Sequence, residues 1–296
     1  MIVGPTICIS GGIIDKEDAR EINEDLVIKG KNYAILMDGA TGLGGPRLEK
    51  GLTNAEWFVK TCGTFLQENL NKSPDIDLSV LIRNCIIHAK EKIIEIETKR
   101  NFTMQPHEEP SSTLIIIREF NGITDILTLG DSVTMIKTKD KKFTVLRDFN
   151  LAKLDNLTLN KMQKIAKERE ISVIEARYED EIKAQLINNR NKKNSGKPDG
   201  YWILSLDEKI VENAKQLHIS SNTIEKIVCV SDGFNYNILG LNEEEFFEKC
   251  LPYSINTLAD KVKTAEELDA NCDNFPRFKK RDDCSGFIWI PDFKHY

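Results

Sequence analysis

The chain has 296 residues, and its 41 Lys and Arg against 47 Asp and Glu leave a formal net charge of -6. That length allows one large domain or two small ones with a substantial core, and the acidic balance argues against a groove for a phosphate backbone, so no nucleic-acid partner is expected. No membrane partner is expected either, because the longest aliphatic stretches, such as Leu114 to Ile117, fall far short of the roughly 20 residues that span a bilayer.

The opening residues Met1 to Pro5 show neither the basic nor the long apolar region of a secretory signal, which makes a cytoplasmic location the default expectation. Apolar stretches then alternate with turns at Thr6 to Ser10, Leu26 to Lys29 and Tyr33 to Met37, a pattern of short strands. Two helical patterns follow, Asn54 to Asn69 with Trp57, Phe58, Phe65 and Leu66 on one side, and Leu78 to Glu97. Between Ser112 and Arg147 the text returns to strands, broken at Asn121-Gly122, Asp131-Ser132 and Asp140-Lys141. Turn formers at such junctions predict a meander of antiparallel strands.

Residues 151 to about 198 are rich in Lys, Glu and Asn and helical in pattern, and are expected to form a helical insertion with a mobile tip near Asn191 to Pro198. Strands are expected again at Tyr201 to Leu206, Ile227 to Val230 and Gly286 to Ile290, and helices at Asn242 to Cys250 and Ile255 to Asp269. Antiparallel strands with two helix pairs suit an α+β architecture of two stacked sheets with helices outside. The seven cysteines include no C-x-x-C pair and read as buried thiols.

Three acids stand where an apolar strand runs out: Asp38 in AILMDG, Asp232 in IVCVSDG and Asp282 in KKRDDCSGFIWI, with Glu24 in REINED upstream. Carboxylates from distant parts of a chain are what a hard divalent cation needs, since Mg²⁺ and Mn²⁺ take oxygen ligands. Asp-Gly is also a turn signal. Of the three Asp-Gly pairs, Asp199-Gly200 follows the polar run NSGKP and reads as an ordinary turn, whereas Asp38 and Asp232 each follow an apolar strand. For these two, metal ligand and turn residue both remain open.

The ordered segments REINED, AILMDG, PSSTLIII, LTLGDSVTMI, IVCVSDG and RDDCSGFIWI resemble the type 2C, metal-dependent protein phosphatases across nearly the whole chain. The resemblance implies a single domain over residues 1–296, with the insertion at about 151–200, folded as a four-layer αββα sandwich. It implies two Mg²⁺ or Mn²⁺ ions bridged by Asp38, one also held by Glu24 and the Gly39 carbonyl, the other by Asp232 and Asp282. Asp131 resembles the family's aspartate near a weaker third metal; its other reading is a β-turn acid. Asp25 and Asp283 read as supporting acceptors or turn residues. The family's phosphate-binding arginine falls on Arg20, which could otherwise be a surface arginine.

The activity so implied is hydrolysis of phosphoserine and phosphothreonine on a phosphorylated protein substrate, by attack of a hydroxide bridging the two metals. Where many eukaryotic relatives carry a histidine after the metal-binding Asp-Gly, this chain has Ala40, and DGATGLGG resembles bacterial members. His88, His107, His218 and His295 fall outside the motifs. A catalytically weak binding module and a phosphatase for a small phosphorylated metabolite are the alternatives.

Overall fold

The computed structural model describes residues 2–15, 17–252 and 254–291. One five-stranded sheet runs β1 (Ile2–Ile9), β10 (Cys284–Ile290), β9 (Ile224–Val230), β6 (Val133–Thr138), β7 (Phe143–Leu146) in spatial order. The other runs β2 (Asp25–Lys29), β3 (Tyr33–Asp38), β4 (Leu114–Phe120), β5 (Ile123–Leu129), β8 (Lys215–Ser220). Every neighbouring pair within the sheets is antiparallel.

The near-continuous apolar runs of β3 and β4 arise because both faces of their sheet are covered. Ala34, Leu36, Ile115 and Ile117 point between the sheets, where they meet Cys229, Phe287 and Trp289. Their alternates Tyr33, Ile35, Met37 and Ile116 pack under α1 (Asn54–Lys72) and α2 (Leu78–Arg100). On the far side Met135, Val228 and Val230 pack under α6 (Glu243–Lys249) and α7 (Ile255–Leu268). The result is the expected α+β sandwich of four layers. Helix α1 starts where the sequence provides a cap: the Glu56 N–H donates to the Thr53 hydroxyl, and the Thr53 N–H to the Glu56 carboxylate.

Four expectations need correction. The meander breaks at Asp131-Ser132: β4 pairs β5 and β6 pairs β7, but the turn between β5 and β6 carries the chain from one sheet to the other. Residues Tyr201 to Leu206 form isolated bridges to Lys193 and Ser112 rather than a strand, while β8 comes from the polar text KQLHIS, legible as an edge strand only once β5 offers it a partner. Cys8 is exposed; the other six cysteines are buried. The tip expected near Asn191 to Pro198 is held by Asn194, a buried residue whose amide donates to the Ile203 carbonyl and the Ser205 hydroxyl.

The insertion comprises α3 (Phe149–Arg169), α4 (Val173–Ala176) and α5 (Asp180–Arg190). It buries Met162, Ile165, Ile174 and Ile182 around Cys272, and so is seated on the segment that follows α7. Among the described residues, no helix is long and apolar enough to cross a membrane.

Candidate active site

A cavity of about 170 Å³ opens where the strand ends of both sheets meet the insertion. Asp38 enters from the end of β3, Asp232 from the end of β9, Asp131 from the turn between sheets and Asp282 from the approach to β10. A fifth carboxylate, Asp155, descends from α3. Gly39 and Ala40 complete the wall beside Asp38.

Local bonding explains why these loops stand where they do. The Asp38 N–H donates to the Thr113 hydroxyl (3.1 Å), the Thr113 N–H donates to the Asp38 carbonyl (2.8 Å), and the Ser112 hydroxyl donates to that same carbonyl (2.9 Å). Thr113 and Ser132 share a hydroxyl hydrogen bond of 2.7 Å, which ties the Asp131 turn to the Asp38 loop. The PSST segment thus fixes one acid relative to the other.

Glycine follows Asp38 and Asp232 for a reason other than turn formation. A Cβ on Gly233 would lie 1.9 Å from the Asp283 carbonyl oxygen, and one on Gly39 would lie 2.8 Å from the Glu24 carbonyl oxygen. Neither residue has positive φ. The glycines permit close backbone approach, so each aspartate is pressed against the strand bearing its neighbour.

Asp25 and Asp283 hold this arrangement from behind. The Ser231 hydroxyl donates to Asp25 (3.0 Å), and Asp283 accepts the backbone N–H groups of Gly11 (2.8 Å) and Glu24 (2.7 Å). Both carboxylates are buried. Neither is a turn acid.

The electrostatics are those of crowded anions. Burial and then the charge of Asp25 push the pKa of Asp38 well above the usual carboxylate range; burial, then Asp232, does the same for Asp131. Asp155 is pushed up to about 7 by burial and by Asp232. Asp232 touches solvent in the cavity mouth yet has protein on most sides, and burial with the Asp282 charge raises its pKa as well.

Positive charge comes from Lys279, Arg177 and Arg190 on the same cavity wall. Lys279 Nζ donates to Asp282 Oδ1 at 2.6 Å and stands 3.9 Å from Glu24 Oε2. Arg190 donates to the Thr41 carbonyl at 3.0 Å. Glu24 lies behind the wall with both oxygens engaged, Oε1 by the Thr53 hydroxyl (2.8 Å) and Oε2 by the Thr41 hydroxyl (2.6 Å). Arg20 does not line the cavity: its guanidinium forks onto the Glu56 carboxylate, with Nη1 at 2.8 Å from Oε1. His88, His107 and His218 do not line it, and His295 lies outside the described residues.

The family model described as protein phosphatase 2C matches residues 18–271. The chain belongs to the protein phosphatase 2C family. No curated protein sequence matches it. Among solved structures, the Staphylococcus aureus serine/threonine phosphatase Stp1 superposes with a TM-score of 0.52 at 13% identity, covering 97% of this chain and 94% of that one. PppA of Pseudomonas aeruginosa gives 0.51 at 11%, covering 96% and 95%. The Mycobacterium tuberculosis phosphatase PstP/Ppp gives 0.50 at 14%, covering 97% and 98%. At such identities the likeness is one of fold.

Protein phosphatase 2C enzymes are metal-dependent, and the donor set here fits hard cations: Asp38, Asp131, Asp155, Asp232 and Asp282 place five carboxyls on one cavity. Among the described residues, no three His, Cys, Asp or Glu side chains close into a ready-made cage. The fit is in chemistry and proximity, with Lys279 already bonded to one of the acids.

Asp155, Arg190 and Lys279 were not singled out from sequence. Asp155 and Arg190 sit on helices among many surface charges, with no motif to separate them. Lys279 carried one signal, since it stands three residues before Asp282 in an otherwise basic run.

Proposed function

We propose that this protein is a metal-dependent phosphatase that hydrolyses phosphoserine and phosphothreonine on other proteins. The observation that carries the reading is the convergence of Asp38, Asp131, Asp232 and Asp282 on one cavity, from four separate parts of the chain and both sheets. Buried acids that raise one another's pKa are stable as anions only when cations join them.

Asp38, Asp232 and Asp282 would hold two Mg²⁺ or Mn²⁺ ions, with the Gly39 carbonyl and Glu24 serving one of them and Asp131 a weaker third. Such ions supply Lewis acidity and lower the pKa of water. The chain's own contribution is position. Thr113 and Ser112 hold the Asp38 backbone, Asp283 holds that of Glu24, and the two Asp-Gly glycines let the strands approach. Arg190 faces the same cavity with a planar fork of donors suited to phosphate oxygens. Arg20 serves phosphate only by leaving Glu56. Ala40 follows Asp-Gly and His88, His107 and His218 do not line the cavity, so water would be the source of the leaving oxygen's proton.

A groove of about 970 Å³ adjoins the cavity and shares Arg177, Phe278 and Lys279 with it. It offers room for the chain flanking a phosphorylated residue, which favours a protein substrate over a small metabolite. The insertion forms one side of both spaces and is the natural seat of substrate selection. The test is hydrolysis of an aryl phosphate with and without Mn²⁺ or Mg²⁺, followed by phosphopeptides against sugar and nucleotide phosphates. Turnover that ignores divalent ions, or a clear preference for small phosphates, overturns the reading.

A further inference from the structure

Glu24 and Asp282 share a neighbour that a site filled only by divalent ions would not need. Lys279 reaches them from the loop before β10, its Nζ 2.6 Å from Asp282 Oδ1 and 3.9 Å from Glu24 Oε2, with its side chain only 14% exposed. Asp282 Oδ1 also accepts the Asp283 N–H at 2.9 Å. Glu24 accepts from the Thr41 and Thr53 hydroxyls. Asp282 on the cavity and Glu24 behind its wall are therefore already supplied with donors, three neutral and one cationic. The cavity around Asp38, Asp131 and Asp155 has carboxyls without an ion pair to any Lys or Arg within the described residues.

The Lys279 ammonium donates to Asp282 with Glu24 on its other side, so two carboxylates flank it. Phe278 and Arg177 keep the loop in place: Phe278 packs against the core of the insertion, and Arg177 donates to its carbonyl at 2.6 Å. A lysine held this way is part of the wall.

We propose that Lys279 is a resident cation of the site, paired with Asp282 and competing there with the divalent ion that Asp282 and Asp232 would hold. The proposal rests on the reading of the cavity as a metal site. One ion is taken up beside Asp38 and Asp131, where Arg190 lines the cavity without forming an ion pair to either acid, and a second enters only as the ammonium gives up Asp282. The insertion, through Arg177 and Phe278, sets how easily Lys279 withdraws, and so couples the second ion to what occupies the adjoining groove.

The test counts ions rather than turnover. Mn²⁺ binding is followed by calorimetry and by the loss of the free-ion electron paramagnetic resonance signal, in the wild-type protein, Lys279→Met, Lys279→Gln and Lys279→Arg. The expected result is a weak second step in the wild type and in Lys279→Arg, tightened at least tenfold in Lys279→Met. Lys279→Gln keeps a donor to Asp282 without the charge, is expected to behave like Lys279→Met, and serves if the methionine variant does not fold. An unchanged or weaker second step in both uncharged variants overturns the proposal while leaving the metal site standing. Absence of Mn²⁺ binding in every protein overturns both.

Discussion

Asp25 and Asp38 face each other across the β2–β3 ladder, directly paired on neighbouring antiparallel strands, and Asp25 is the foremost charge acting on Asp38. Like charges placed opposite one another destabilise a sheet. Here the pair is retained with Asp38 on the cavity wall and Asp25 behind it, and a cation bound at Asp38 would relieve it.

That relief gives a pH signature. Burial, with the charges of Asp283 and Asp282, pushes Asp25 up to about 8, and Asp155 is pushed up to about 7. An acid whose folded pKa lies above its unfolded value, about 3.9 for Asp, keeps a proton that the unfolded chain has lost. Its contribution is fully present below the unfolded pKa and is lost as pH rises through the folded one. In chelator, Tm is therefore expected to fall between about pH 5 and pH 8, and Mg²⁺ to recover it. Asp25→Asn should flatten the slope, with Tm moving by roughly 2–4 °C for each kcal/mol at this size of protein. Thermal scans across pH decide it; a flat profile in chelator would count against buried, mutually repelling acids.

Asp38→Asn removes the carboxylate that the reading places between two ions. Hydrolysis is expected to fall by at least about 10²-fold, the scale of losing one preorganised electrostatic group, while the metal-free protein becomes more heat-stable. Steady-state kinetics and a thermal scan of the same preparation test both halves. A variant that is less stable without metal contradicts the repulsion.

Gly233→Ala probes close approach without touching an acid. Its Cβ would fall 1.9 Å from the Asp283 carbonyl oxygen. Overpacking of this kind costs about 1–3 kcal/mol, so the urea midpoint should drop, and metal affinity should fall as Asp232 and Asp282 are forced apart. An unaltered midpoint would mean the two backbones are not in contact.

Arg190→Ala and Arg20→Ala separate two candidates for the phosphate clamp. Arg190 lines the cavity, and the loss of a hydrogen bond to a charged group, about 1.5–3 kcal/mol, corresponds to a KM higher by roughly ten- to a hundredfold. Arg20 forks onto buried Glu56 in the cap of α1. Its removal is expected to act chiefly on stability, by leaving that carboxylate unpaired. The reverse pattern, with KM moved by Arg20→Ala alone, would restore Arg20 as the clamp.

The site's legibility in the sequence followed the covalent chain. Asp38 and Asp232 could be found because each ends an apolar strand buried on both faces, and Asp282 because a third such strand follows it. Asp155 and Arg190 could not, since a helix of the insertion shows which face it buries but not what lies opposite. Arg20 was placed by spacing, yet its direction depends on the irregular backbone between β1 and β2, where no periodicity fixes a side chain. Strand β8 escaped notice because an edge strand with a half-exposed, polar sequence is defined by its neighbour rather than by its own residues.

The chain crosses between sheets at Asp131, and the acids lie on both sides of that crossing. Asp25 and Asp38 belong to one sheet, Asp232 and Asp282 to the other, joined by the hydrogen bond from Ser231 to Asp25. The thickness of the packing between them, set by Leu36, Ile115, Cys229 and Phe287, is therefore the gauge of the cavity. A methylene added or removed in that hidden layer would change the distance between acids that it never touches, and with it the size of ion the protein prefers.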